Sequence, residues 1–213
     1  YNHWANPDVL DSVTNYECYK GIYSSHNDHN YFEIAHSLNR QFANGGIYRN
    51  IYTYNFVDNH DVNRVASMLK DKNHLNNVYT MMYTMPGVPS IYYGSEFGIE
   101  GMRTAYSDYE LRPCLDLDSI PNPNYELLEH IKKLGVVRLA LEALKYGDFE
   151  NINIQNEKLV YRRKTDNPFI KDGQIIRLYL LHSTLQTVLK ESVLTQAATQ
   201  SLQMFSTATK LLM

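Results

Sequence analysis

The sequence predicts an α/β fold in which strands and helices alternate on a shared parallel sheet, followed by the opening of an antiparallel β-unit. Three observations carry that expectation. Two apolar runs rich in β-forming side chains, Ile51–Val57 and Val88–Tyr93, each end in a polar turn, as strands do where a sheet opens to solvent. The stretch between them repeats apolar residues at helical spacing (Val65, Met68, Leu69, Leu75, Val78, Met81, Met82, Met85) and stops at Pro86-Gly87. The rhythm changes at Asp148, where Phe149–Ile154 and Leu159–Arg163 flank the turn-like Gln155-Asn156-Glu157 and read as a hairpin.

Along the chain, residues Asp8 to Cys18 read as a short strand entered from a polar loop. Asn30 offers an N-cap amide with Glu33 three residues on, and Phe32, Ala35, Leu38 and Phe42 mark the apolar stripe of the helix it opens. Asn44-Gly45-Gly46 supplies the left-handed conformations that stop that helix. After the second strand, a loop rich in glycine, tyrosine and charge runs from Gly94 to Asp118. Asn122-Pro123 then combines an N-cap with a proline at the first helical position. Leu127, Leu128, Ile131, Leu134, Val137, Leu141 and Leu144 continue as an amphipathic helix ended by Gly147.

The expected division is therefore a strand–helix unit over 1–147 and the start of a β-domain over 148–167. The remainder, 168–213, differs in kind. No asparagine follows Asn167, Tyr179 is the one tyrosine beyond it, and Leu, Ser, Thr and Gln dominate without strand rhythm. We read this as an aberrant tail produced by a reading-frame change near Asn167-Pro168. A low-complexity linker, or a helix from about Leu185 to Leu212, is the alternative. Translating the coding DNA in its other two frames separates them.

Composition narrows the function classes. A formal net charge of -3 argues against a dedicated nucleic-acid or anionic-membrane partner, and no apolar stretch is long enough to cross a bilayer. The two cysteines, Cys18 and Cys114, make no metal-like cluster and point to a reducing compartment, hence a cytoplasmic location. The chain opens on Tyr1 without a charged leader, so an internal piece of a longer polypeptide is expected. Tyrosine and asparagine are abundant; this suits a sugar-facing surface, and an AT-rich coding sequence explains it more simply.

The residues with chemistry to offer are Asn59, His60 and Asp61, where a strand closes on an amide, an imidazole and a carboxylate. A purely structural alternative is a polar turn capping the next helix, with Asp61 near its N-terminus. His26, Asp28 and His29 lie close together, but no third or fourth ligand has matching spacing, so no metal or other cofactor is expected. His36, His74 and His130 fall on predicted helices and read as surface residues. Trp4 reads equally as an aromatic wall for a sugar or as a core anchor.

Two segments together resemble the alpha-amylase family of glycoside hydrolases (family thirteen). Phe56-Val57-Asp58-Asn59-His60-Asp61 matches the family's Phe-x-x-Asn-His-Asp at every fixed position. Met85-Pro86-Gly87-Val88-Pro89-Ser90-Ile91-Tyr92-Tyr93-Gly94-Ser95-Glu96-Phe97-Gly98 is similar to its Pro-Gly-x-Pro-x-Ile-Tyr-Tyr-Gly-x-Glu-x-Gly segment, and Arg112-Pro113 matches a pair in the loop that follows. Asp11–Glu17 is similar to the maltodextrin- and cyclomaltodextrin-cleaving members. The resemblance, over about residues 1–163, implies part of a (β/α)8 TIM barrel, strands six to eight with their helices, and then an antiparallel β-domain.

It also implies roles. Asp61 becomes the carboxylate that stabilises the cationic transition state, and His60 a donor to the same sugar. Arg64 becomes a contact to substrate or to a neighbouring carboxylate. Glu96 becomes structural. The substrate implied is an α-glucan or maltooligosaccharide. The family's nucleophilic aspartate and proton-donating glutamate belong to strands four and five, in the missing N-terminal half of the polypeptide, so the chain alone is expected to be inactive. A glucanotransferase or sucrose-acting enzyme of the same superfamily, or a non-catalytic barrel used for binding, are the alternatives.

Overall fold

The computed structural model describes residues 3–6, 8–166, 174–181 and 188–191. Its first half sets extended segments against helices. Thr14 makes an isolated parallel bridge to Tyr54, and β1 (Tyr54–Asn55) pairs in parallel with β2 (Val88–Pro89), so three segments run side by side in chain order. The regular strands are shorter than the sequence predicts, because the chain leaves the ladder for the polar turns almost at once.

The strand expected over Asp8 to Cys18 contracts to that single bridge. Helix α1 (Tyr16–Asn27) starts inside it, capped by the Asn15 side chain, which accepts from the Cys18 N–H at 3.0 Å. Its buried face is Cys18, Gly21, Ile22, Ser24, Ser25 and His26, packed on α2 (Tyr31–Phe42). Asn30 caps α2 as expected, and Ile34, Ala35, Leu38 and Phe42 are buried, but Phe32 is exposed and Tyr31 takes the core position.

The long helical pattern after Asn63 is two helices, α3 (Val65–Met68) and α4 (Leu75–Thr84), joined by a 3-10 turn at Lys72–His74. The cap of α5 (Tyr125–Ala140) is Asn124, whose side chain accepts from Leu127 N–H at 2.9 Å; Asn122, the expected cap, instead holds a left-handed turn with φ of +48°. Leu141 breaks the helix, and α6 (Glu142–Tyr146) follows. His74 is buried rather than at the surface, His36 is exposed, and half-buried His130 packs α5 on α4 through Thr80 (2.9 Å) and the Asn76 carbonyl (3.1 Å).

The hairpin forms as β3 (Asp148–Gln155) and β4 (Lys158–Thr165), with a bulge at Ile152. Its sheet then continues: β5 (Gln174–Leu181) pairs antiparallel with β4, and β6 (Val188–Glu191) with β5. This corrects the expectation that 168–213 lacks strand structure. Leu178 and Leu180 enter the core, and their alternation is the half-buried strand pattern. The rest of that stretch, including most of the alternative helix over Leu185 to Leu212, lies outside the described residues. One continuous core joins α2, α4 and α6 to Phe149, Leu159 and Tyr161. No helix among the described residues is long and apolar enough to cross a membrane.

Candidate active site

The site lies where β1 and β2 end. Phe56 is buried against Tyr16 and Tyr19, with ring centroids 5.0 Å away in each case, and Val57 and Asp58 are buried behind it. The chain then turns outward. Asn59 accepts the backbone N–H of Asp61 (2.8 Å) and of Val62 (3.2 Å) on its side-chain oxygen, the turn that its short amide is suited to make. His60 and Asp61 are carried to the surface, with 59% and 53% of their side chains exposed, and His60 Nε2 sits 3.3 Å from the Asp61 carboxylate.

The turn after β2 meets this one. Gly94 and Gly98 flank the 3-10 turn Ser95–Phe97 with φ of +84° and +70°, a conformation that glycine adopts without steric cost. Tyr92 stands 6.5 Å from the His60 ring, centroid to centroid. The Gly94–Asp118 loop returns Arg112, which donates to the His60 carbonyl (3.2 Å), pairs with Asp108 (2.9 Å) and lies 3.6 Å from Asp61. Arg112 and Asp108 were not among the sequence-derived site residues. The Arg112-Pro113 pair was the available signal, but the meeting with Asp61 depends on a loop path that no local pattern encodes.

Arg64, expected to contact substrate or a neighbouring carboxylate, points inward. It is fully buried, donating to the carbonyls of Tyr93 (2.7 Å) and Leu111 (2.8 Å) and to the Ser95 hydroxyl (2.9 Å), with its guanidinium 4.2 Å above the Tyr92 ring. It lies near the Asp58 carboxylate, which its charge favours in the ionised form, although burial raises that carboxyl overall. Glu96 stays partly buried beneath the turn. Among the described residues no group of three or more His, Cys, Asp or Glu is arranged to hold a metal ion. Trp4 is exposed and packs edge-on to His3.

A groove of about 880 Å3 opens elsewhere, along the Thr14 segment, lined by Val13, Thr14, Tyr16, Gln41, Tyr48 and Tyr54 among others. His60 and Asp61 are not among the residues that line this groove, which runs along the edge of the parallel segments. What the exposed pair can do chemically is limited and specific. A fixed carboxylate can balance positive charge developing on a bound ring, and an adjacent imidazole can donate to a hydroxyl.

Residues 1–157 match the family model of the alpha amylase catalytic domain. The cyclomaltodextrinase of Geobacillus thermopakistaniensis is 28% identical over 169 residues, covering 77% of this chain and 28% of that protein. A cyclomaltodextrin glucanotransferase of Bacillus sp. (strain 38-2) is 32% identical over 112 residues, covering 53% of this chain and 15% of that protein. Among solved structures, the maltogenic amylase from S. marinus superposes with a TM-score of 0.66 at 28% identity, over 85% of this chain and 25% of that one. The cyclic alpha-maltosyl-(1→6)-maltose hydrolase from Arthrobacter globiformis superposes at 0.72 with 16% identity, over 90% of this chain and 47% of that one, a likeness of fold. The chain thus spans less than a third of either curated relative, at 28% and 15% of their lengths. With most of its length inside one family model, the chain belongs to the alpha-amylase catalytic-domain family.

Proposed function

We propose that this chain is the C-terminal part of the catalytic barrel of a retaining glycoside hydrolase acting on α-linked glucans such as maltodextrins. The Thr14 segment, β1 and β2 serve as barrel strands six to eight, and the sheet from β3 onward begins the domain that follows. The observation that carries this reading is the display of Asp61 and His60 where the parallel pair ends, the face on which barrels of this class do chemistry. Glycosidic cleavage with retention passes through an oxocarbenium-like state and needs a nucleophile, an acid and fixed negative charge beside the ring. Asp61 supplies the fixed charge, and His60 donates to a hydroxyl of the same sugar. Arg64 acts from below, holding the Tyr93 and Leu111 carbonyls and the Tyr92 ring that border the site.

The nucleophile and acid are assigned to the N-terminal half of the parent polypeptide, which in this reading packs along the Thr14 edge and its groove. A cytoplasmic location belongs to the same reading. Incubating the 213-residue chain with maltotriose or a nitrophenyl maltoside is expected to release no product above the buffer rate. Product formation abolished by Asp61→Ala would contradict the assignment of nucleophile and acid. In the intact parent, Asp61→Asn is expected to lower kcat about a thousandfold, the scale of losing one preorganised electrostatic group. The similarity to cyclomaltodextrin glucanotransferases supports a second reading, glucan transfer, which the products of the intact parent distinguish from hydrolysis.

A further inference from the structure

Beneath the exposed pair lies a carboxylate to which the reading above gives no work. Asp58 is only 2% exposed and directly precedes the Asn59–Asp61 turn. Its Oδ2 accepts the Val65 N–H at 2.9 Å, and the Ser95 hydroxyl reaches both its oxygens, at 2.8 and 2.9 Å. Ser95 accepts in turn from Arg64 Nη1 at 2.9 Å, and its carbonyl accepts the Tyr79 hydroxyl at 3.2 Å. Arg64 extends the web to the Tyr93 and Leu111 carbonyls, and its own backbone N–H donates to the Gly101 carbonyl at 3.0 Å. The turn after β1, the start of α3, the turn after β2 and the loop around Leu111 therefore converge on one buried carboxylate.

A buried carboxylate is costly unless its oxygens are satisfied, and breaking such a web leaves a charge without its donors. An exposed catalytic carboxylate needs a fixed position relative to the ring it serves. Asp61 has few contacts of its own at the surface; the turn that carries it is anchored from beneath. We propose that Asp58 is a positioning residue of this site, fixing the His60–Asp61 turn against the Tyr92–Tyr93 and Arg112 segments through Ser95 and Arg64. What the positioned residues then do rests on the glycosidase reading, whereas the mechanical link does not. Asp58 occupies a variable position of the Phe-x-x-Asn-His-Asp pattern, so the motif alone assigns it nothing.

The test uses the isotopically labelled 213-residue chain. It reads the ring signals of His60 by NMR, together with hydrogen exchange at the Asp61 and Val62 amides, both held by Asn59. Asp58→Asn turns a donor toward Val65 or Ser95. With far-UV circular dichroism unchanged, it is expected to move the His60 signals and to speed exchange at Asp61 and Val62 about tenfold, the scale of one lost buried hydrogen bond. Ser95→Ala is expected to give the same changes at smaller amplitude. A folded Asp58→Asn chain whose His60 signals and Asp61 and Val62 exchange match the wild type would overturn the proposal, leaving Asp58 as a cap of α3 alone. Should Asp58→Asn not fold, Ser95→Ala decides by the same two readouts. No sugar enters the assay, so its failure leaves the glycosidase reading standing, and failure of that reading leaves this result intact.

Discussion

His130 shows how a single side chain can give this molecule a pH dependence. Burial is the largest influence on it and holds its imidazole below the ordinary 6.5, against the favourable bond to the Asn76 carbonyl. The folded state therefore binds fewer protons than the unfolded one just below pH 6.5, and stability falls as the solution is acidified through that range. His130→Gln is expected to lessen the drop in melting temperature between buffers above and below pH 6.5; an identical drop would remove His130 from the account. At this scale the sequence was informative about Asp61 and His60, whose motif places them at a strand end, and much less so about charge that goes inward. Arg64 and Asp58 were unreadable as buried residues because charged side chains are exposed by default, and only their partners from distant segments make burial tolerable.

At the scale of elements, the C-terminal end of α4 is held by two arginines, Arg138 from α5 and Arg163 from β4 of the antiparallel sheet. Arg138 donates to the carbonyls of Tyr83 (2.6 Å) and Gly87, while Arg163 donates to those of Thr84 (2.7 Å) and Gly147 (2.9 Å). The carbonyls of Tyr83, Thr84 and Gly87 are those that the last turn of α4 and the turn after it leave open, Gly147 caps α6, and cations suit that end of a helix. Burial pushes Arg163 down to about 9 and Arg138 down to about 10. Arg163→Met keeps much of the apolar stem but orphans two carbonyls. It is expected to cost about 3 kcal/mol in denaturant unfolding, and a loss within error would show that the two units dock without it. The same scale shows why α1 escaped a reading by periodicity: its buried stripe of Cys18, Gly21, Ile22, Ser25 and His26 offers few strongly apolar residues, so the helical spacing is hidden. The close approach of α1 to α2 explains the composition. A Cβ on Gly21 would come within 3.1 Å of Ile34 Cδ1. The continued sheet at β5 was obscured by the compositional change after Asn167, although Leu178 and Leu180 alternate correctly for one buried face.

At the scale of the whole molecule, a shared core is set against an open parallel edge. Barrel strands gain their stability by closing on one another, and three short parallel segments leave that closure undone. The chain alone is therefore expected to melt broadly, with the region around the Thr14 segment losing amide protection before the β3–β4 hairpin; a single sharp transition seen by every probe would contradict this. The His60–Asp61 turn does not depend on closure of that edge for its internal geometry, because it is held by contacts among described residues of this chain. The most direct test is therefore where a maltooligosaccharide touches the protein. Titrating the labelled chain with maltotriose to its solubility limit is expected to shift the signals of His60, Asp61, Tyr92 and Arg112, with Asp61→Asn weakening the response. Shifts confined to the groove along the Thr14 segment, or none at the His60–Asp61 turn, would contradict the assignment of that turn as the sugar site.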